Sequence, residues 1–158
     1  MVNSKTKNSK GFTLVEMAIV IALLSILATI AVPAWQNYTT NTKLKDAARQ
    51  VAGDIMNTRH RAIAENTSVY RITFNTNNNS YTLSRTDSGA TLWTKPLYAK
   101  DDGNAFQSVN FSGNSFINFQ GRGTVSVGSI VLKNKLNSTA TITVQLTGRT
   151  YVQFNLQK

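Results

Sequence analysis

A single carboxylate lies within a long apolar stretch near the start of this 158-residue chain. Glu16 is the only charged residue between Phe12 and Trp35, in the run FTLVEMAIVIALLSILATIAVPAW. A carboxylate inside a membrane helix costs about 2.5–3.5 kcal/mol on insertion scales, so we expect Glu16 to have a partner. The alternative is that Glu16, close to the helix start, reaches the lipid headgroups at little cost.

The residues next to Glu16 offer such a partner. Cleavage between Gly11 and Phe12 would give Phe12 an α-ammonium group, and Glu16 lies four residues further along the same helix face. In a bundle of such helices, Glu16 of one subunit would neutralise the Phe12 amine of a neighbour. Because this pairing stabilises one register of the helices and disfavours others, the pattern predicts assembly through the apolar helix.

The apolar run is long enough to cross a bilayer. As a helix, about 24 residues span roughly 36 Å, against a hydrocarbon core of about 30 Å. Residues 1–11 contain Lys5, Lys7 and Lys10 and no acid, which favours a cytoplasmic N-terminus with the rest of the chain across the membrane. A cleaved secretory signal and a buried helix of a soluble protein are the alternatives. We expect a retained, single-pass anchor.

The segment KGFTLVEMAIVIALLSILATIAVPAW resembles the signal and N-terminal helix of type IV pilins and of type II secretion pseudopilins. The resemblance is carried by the basic leader, Gly11, Phe12, Glu16 as the fifth residue counted from Phe12, the apolar helix, and Pro33. It implies cleavage after Gly11 by a prepilin peptidase, N-methylation of Phe12, and polymerisation from the inner membrane, with the rest of the protein periplasmic, into a pilus or pseudopilus. Pro33 removes one helix hydrogen bond, and in pilins a proline here accompanies a kink.

A second, amphipathic helical segment follows over residues 36–66. Its apolar positions recur at spacings near three, four and seven: Leu44, Ala48, Val51, Ile55 and Ala62. This narrow stripe needs a sheet to cover it. Gly53 lowers the local helix propensity by about 1 kcal/mol relative to alanine, and we expect close packing against strands to explain its presence.

From residue 67 onward the pattern is that of short β-strands. Alternating runs predict strands at about 69–74 and 80–86, and later apolar strings bring the expected number to six to eight. We expect an α+β fold in which one long N-terminal helix packs on a C-terminal antiparallel β-sheet head. The expected organisation is a leader at 1–11, a transmembrane and assembly helix at 12–35, an amphipathic helix at 36–66 and the head at 67–158.

Within this class the chain resembles the GspH/FimT group of minor pilins and pseudopilins. The resemblance is carried by residues 48–64 before VYRITF, by FINFQGRGTV at 116–125 and by LTGRTYVQF at 146–154. It implies the pilin fold and a low-abundance subunit that initiates the filament or lies near its tip, with other pilin or pseudopilin subunits as partners. Because both systems use the same helix and processing, the sequence leaves type IV pilus and type II secretion open.

The charge distribution favours an anionic partner. The chain has 17 Lys and Arg residues against 7 Asp and Glu, a net charge of +10, and no acid follows Asp102. Six residues beyond that point are the candidates for binding DNA: Arg122, Lys133, Lys135, Arg149, Tyr151 and Lys158. Cations would neutralise phosphates in a salt-dependent way, and Tyr151 could stack on single strands. The alternative is a solvated face that contacts acidic membranes or neighbouring subunits.

One short motif bears on the DNA hypothesis. FimT-type DNA receptors carry a basic GRxR motif, and Gly148-Arg149-Thr150-Tyr151 keeps its first arginine but has tyrosine in place of the second. The resemblance therefore leaves a second function open, that of a DNA-binding minor pilin acting in natural transformation.

Catalytic chemistry has little support in the composition. The absence of Cys excludes thiol nucleophiles and Cys-ligated metals, and a single histidine, His60, excludes a multi-histidine metal site. The segment 101–104 lacks the spacing of an EF-hand, and Gly121-Arg122-Gly123 lacks that of a phosphate loop, so both predict turns. We expect a structural subunit that is not an enzyme and binds no cofactor or metal.

Overall fold

The computed structural model describes residues 11–157, which fall into two compact units, one ending at Gln36 and one beginning at Asn37. One helix, α1 (Leu14–Ala64), belongs to both units. Residues 1–10, which make up most of the predicted leader, lie outside the described residues. So does Lys158, one of the candidate DNA-binding residues.

The first unit consists mainly of the apolar part of α1. An 18-residue window of this helix has a mean hydropathy of 2.6 and no buried residue, so the helix is long and apolar enough to cross a membrane. Its hydroxyl groups are satisfied locally: Ser25 donates to the Ala22 carbonyl at 2.7 Å, and Thr29 to the Ile26 carbonyl at 2.6 Å. Such bonds suit hydrocarbon, where no water can serve as a partner. Pro33 lies within α1.

In the second unit, α1 buries the predicted apolar stripe. Five side chains are at most 1% exposed: Leu44, Ala48, Val51, Ile55 and Ala62. The helix ends at Ala64, two residues before the predicted end. Asn66 has a φ of 45°, its N–H donates to the Ile63 carbonyl, and the Thr67 N–H donates to the Ala62 carbonyl. This is a Schellman motif with asparagine in the left-handed position.

The explanation expected for Gly53 is wrong. A Cβ atom built on Gly53 would meet nothing within 4 Å, so no strand packs closely against it. Val51, Ala52 and Ile55 take the core-facing positions, and Gly53 is turned away from them by the helical twist.

Eight strands lie in the described residues. Their bounds are β1 (Tyr70–Asn75), β2 (Ser80–Arg85), β3 (Thr91–Pro96), β4 (Ala105–Asn110), β5 (Phe116–Asn118), β6 (Gly128–Lys133), β7 (Thr139–Val144) and β8 (Thr150–Asn155). They form two four-stranded sheets, ordered β3-β2-β1-β5 and β4-β6-β7-β8, and every pairing is antiparallel. The predicted α+β architecture and the first two strands are confirmed to within one residue at each end.

The core lies between α1 and the inner faces of the two sheets. Alternate residues of each strand point inward, among them Ile72 of β1, Leu83 of β2, Ile130 of β6 and Ile142 of β7, all at most 2% exposed. The helix stripe and both sheets contribute to one hydrophobic cluster. Neither sheet alone could bury both of its faces, so the amphipathic part of α1 is needed to complete the core.

Candidate functional sites at the helix start and beside Arg59

Glu16 lies in the first turn of α1 and is hydrogen-bonded to Thr13. Its Oε2 accepts from the Thr13 N–H at 2.8 Å and from the Thr13 hydroxyl at 2.9 Å, while the Glu16 N–H donates to Thr13 Oγ1 at 3.2 Å. This reciprocal arrangement is a capping box. The sequence interpretation missed Thr13, although the spacing T-x-x-E indicates such a cap.

The cap explains how a carboxylate is tolerated at the start of an apolar helix. Two donors from Thr13 and the positive end of the helix dipole stabilise the Glu16 charge. The second carboxylate oxygen, Oε1, accepts no hydrogen bond from any of the described residues. Gly11 and Phe12 precede the helix and are exposed.

The structure does not bring all of the predicted DNA-binding residues together. Arg122 lies in the turn at 120–123, which adjoins the β7–β8 turn through the hydrogen bond from the Val125 N–H to the Leu146 carbonyl. Lys133 ends β6 and pairs with Thr139, the first residue of β7, and Lys135 lies in the turn between these two strands. Arg149 and Tyr151 lie at the opposite end, where β8 begins beside the last residue of β7. Six-residue strands separate the two ends by about 17 Å.

In the described part of the chain, ion pairs are confined to α1, the first sheet and the loops next to them. Within residues 11–157 the pairs are Lys43–Asp102, Arg49–Asp46, Arg61–Glu65, Arg85–Asp87 and Lys95–Asp54. The hydrogen-bonded Arg85 guanidinium lowers the pKa of the Asp87 carboxyl to about 2. In the same range the predicted cations of the acid-free C-terminal part have no carboxylate partner: Arg122, Lys133, Lys135 and Arg149.

Arg59 of α1 is held between two glycine turns. Its Nε donates to the Gly123 carbonyl at 2.8 Å, in the turn between β5 and β6. Gly148, in the turn between β7 and β8, lies so close that a Cβ built there would be 2.1 Å from Arg59 Nε. The two glycines have φ values of +85° and +76°, which other residues rarely adopt. Arg59 makes no ion pair with the described residues.

A groove of about 620 Å³ opens beside Arg59. It is lined by Met56, Arg59 and residues 147–151, which include Arg149 and Tyr151. Met56 and Tyr151 are each 46% exposed, so apolar surface accompanies the two guanidinium groups. This combination is suited to a planar anion with an apolar neighbour. The sequence interpretation missed Arg59, because an arginine beside His60 on a polar helix face looks like an ordinary solvated cation.

No metal site is evident in the part of the chain that the structure describes. Residues 11–157 contain no group of three or more His, Asp or Glu side chains arranged to hold an ion. His60 is exposed.

The predicted turns are present: the Gly123 N–H donates to the Gln120 carbonyl at 2.8 Å, and a short 3₁₀ helix at Lys100–Asp102 leads into Gly103.

Two family models match the chain. The prokaryotic N-terminal methylation motif matches residues 6–32, and the model of the type II transport protein GspH matches residues 47–148, well over half of the chain. This chain belongs to the GspH family. The GspH match covers most of the second unit, and the methylation motif covers the helix start with Gly11, Phe12 and Glu16.

Relatives of this GspH-family chain match a short part of it. It is 48% identical over 46 residues to a fimbrial protein of Pseudomonas aeruginosa, covering 29% of this chain and 30% of that protein. It is 53% identical over 38 residues to the type IV major pilin PilE1 of Neisseria gonorrhoeae, covering 24% and 23%. The match thus spans less than a third of the length of either relative.

Two solved structures resemble the fold of the GspH-family chain. The minor pseudopilin EpsH of the Vibrio cholerae type 2 secretion system has a TM-score of 0.58 and 12% identity, covering 71% of this chain and 97% of that one. The type IV minor pilin FimU of Pseudomonas aeruginosa has a TM-score of 0.59 and 14% identity, covering 73% and 92%. These matches confirm the predicted pilin-type fold.

Proposed function

We propose that this GspH-family chain is a minor pilin or pseudopilin, a structural subunit of a type IV pilus or a type II secretion pseudopilus. The observation that carries the proposal is an exposed apolar helix that begins with one capped carboxylate. The family match and the pilin-type fold support it. The subunit initiates the filament or lies near its tip, and performs no catalysis.

Assembly follows from the geometry at the helix start. A prepilin peptidase removes residues 1–11, and the new Phe12 amine is methylated. Residues 12–35 anchor the subunit in the inner membrane, with the head in the periplasm. On extraction into a filament, contacts between apolar helices replace lipid contacts. The free Oε1 of Glu16 accepts from the Phe12 amine of a neighbour, which sets the axial stagger of the subunits.

Two substitutions test this proposal. Gly11→Leu should block cleavage, so mass spectrometry would show residues 1–11 still attached. Glu16→Ala should leave membrane insertion and cleavage intact but reduce incorporation into sheared filaments or pseudopili by more than tenfold. Asp101→Ala removes an exposed carboxylate outside the apolar helix that makes no ion pair within residues 11–157, and it serves as the control. Normal incorporation of Glu16→Ala would contradict the assigned role of Glu16.

DNA binding is the second candidate function. It is favoured by four cations of the C-terminal part that lack a carboxylate partner in residues 11–157, and by the exposure of Tyr151. A gel-shift titration with the detergent-solubilised chain should show retardation that weakens with salt, and Arg149→Ala should weaken it further. The absence of retardation at low salt would contradict DNA binding.

A further inference from the structure

We propose that the groove beside Arg59 binds a carboxylate-bearing segment of a different subunit in the same filament. The inference rests on the proposed structural role and names a partner surface for it. Three features carry it: the fixed position of Arg59, the donors that remain on its guanidinium, and the distribution of carboxylates over the chain.

Arg59 is positioned by the fold before any partner arrives. The Gly123 carbonyl holds Nε, and the Gly148 backbone lies against Nε and Cδ. Both turns depend on glycine, since each has positive φ and a Cβ in either would press on Arg59. A side chain held in this way loses little conformational entropy on binding.

The donors left on Arg59 suit a carboxylate. Within the described residues, Nε is the only guanidinium nitrogen of Arg59 that donates a hydrogen bond. The N–H groups of Nη1 and Nη2 therefore remain for a ligand. A guanidinium binds a planar carboxylate through two parallel hydrogen bonds. Arg149 lies in the same groove as a second cation, and Met56 and Tyr151 supply apolar surface for the rest of the segment.

The position of the cations favours a protein segment over nucleic acid. Lys133 and Lys135 lie about 17 Å away, at the other end of the β6–β7–β8 strands, so the arginines form a local site and not a continuous phosphate track. A protein segment that presents one carboxylate needs only the two arginines of this groove, Arg59 and Arg149.

The partner is a different subunit, because this chain has almost no carboxylate to offer. Five of its seven acids are ion-paired, and Glu16 is held in the capping box. Asp101 alone, among the acids of residues 11–157, makes neither an ion pair nor a side-chain hydrogen bond. A second copy would also bring the same unpaired arginines to the interface, and like charges would repel.

The test uses the full chain in detergent micelles with two labelled probes, hexaglutamate and a single-stranded hexanucleotide. Fluorescence polarisation at fixed ionic strength should show hexaglutamate binding that Arg149→Gln and Arg59→Gln each weaken at least tenfold. Arg59→Lys keeps the charge but loses the planar fork, and should weaken binding severalfold. The charge control is the double variant Lys45→Gln/Lys100→Gln, which removes one positive charge more than either single arginine variant and should still change affinity less than twofold.

Several outcomes would overturn the inference. One is the absence of hexaglutamate binding at low salt, and another is an equal loss of hexaglutamate affinity in the control variant. A third is hexanucleotide binding that displaces hexaglutamate and depends on Lys133 and Lys135. Circular dichroism checks folding, and the exposed Arg149 provides the decisive variant if Arg59→Gln unfolds. Since this assay needs no filament, its failure is separate from that of the proposed function, which the incorporation of Glu16→Ala decides.

Discussion

The Tyr81 hydroxyl of β2 donates a hydrogen bond of 2.6 Å to the Asp54 carboxylate of α1. Lys95 of β3 donates to both oxygens of the same carboxylate, at 2.8 and 3.0 Å. Asp54 therefore joins the helix to two neighbouring strands of the first sheet. Burial, and then the hydrogen bond to Asp54, raises the pKa of Tyr81 above its ordinary value.

We expect Tyr81 to make the fold sensitive to alkali. In the unfolded chain tyrosine ionises near pH 10, whereas folded Tyr81 stays neutral to higher pH. The stabilisation is fully present below about pH 10 and is lost, at about 1.4 kcal/mol per pH unit, as the pH rises toward the folded pKa. Denaturant unfolding at pH 10–11.5 should show a shallower decline for Tyr81→Phe than for the unsubstituted chain. Tyr81→Phe should also cost about 1 kcal/mol at pH 7.

Tyr98→Phe, at an exposed position, is the control for this measurement. It should leave the alkaline slope of the unfolding free energy close to that of the unsubstituted chain. If Tyr81→Phe and Tyr98→Phe gave the same slope, the assigned role of the buried hydroxyl would be wrong.

The cap at the helix start gives a second prediction. Thr13→Val removes the hydroxyl that donates to Glu16 and accepts from the Glu16 N–H, which should cost the first turn about 1 kcal/mol. Amide exchange measured by NMR in micelles should therefore accelerate about fivefold at Glu16. Thr13→Ser keeps the hydroxyl and should exchange like the unsubstituted chain. Equal exchange in the valine and serine variants would show that the cap does not stabilise the helix start.

Local periodicity was enough to predict much of the fold. The apolar stripe from Leu44 to Ala62 follows the helical repeat, and β1 and β2 follow the two-residue alternation of strands. The T-x-x-E spacing at Thr13 was an equally local signal and could have been used. Gly53 shows the limit of prediction from local periodicity, because tertiary packing decides which side of the helix the sheets cover.

Long-range strand pairing determines which residues of the candidate site lie close together, and the sequence could not predict this. Lys133 and Arg149 are close in the sequence, but the register of β6, β7 and β8 places them at opposite strand ends. Conversely, Arg59 is distant in the sequence from Gly123 and Gly148, and only the tertiary fold brings the three together. The glycines of these two turns were visible in the sequence, but the helix residue that they contact was not.

A third prediction concerns the turn that holds Arg59. Gly148→Ala introduces a Cβ 2.1 Å from Arg59 Nε at a φ of +76°. Because the far end of a flexible side chain can move, we expect Arg59 to leave its position while the fold persists. The positive φ should cost about 1–2 kcal/mol of unfolding free energy, and hexaglutamate binding should fall at least tenfold.

Gly89→Ala separates the two effects of that substitution. Gly89 also has a positive φ, of +67°, but a Cβ there meets nothing within 4 Å. It should show a similar loss of stability and unchanged hexaglutamate binding. Equal binding by the Gly148 and Gly89 variants would mean that the position of Arg59 does not matter to the groove.

The last prediction concerns Gly53, which has no packing role in the described structure. Gly53→Ala should raise the unfolding free energy by about 0.5–1 kcal/mol, because alanine has less conformational entropy to lose in a helix and the added Cβ meets no atom. Urea unfolding of the detergent-solubilised chain measures the change. Asn57→Ala, at an exposed position of the same helix, controls for a general gain in helix propensity. A loss of stability in Gly53→Ala would mean that the helix in solution packs more closely at this position. A gain in stability together with reduced incorporation into filaments would place a neighbouring subunit against Gly53.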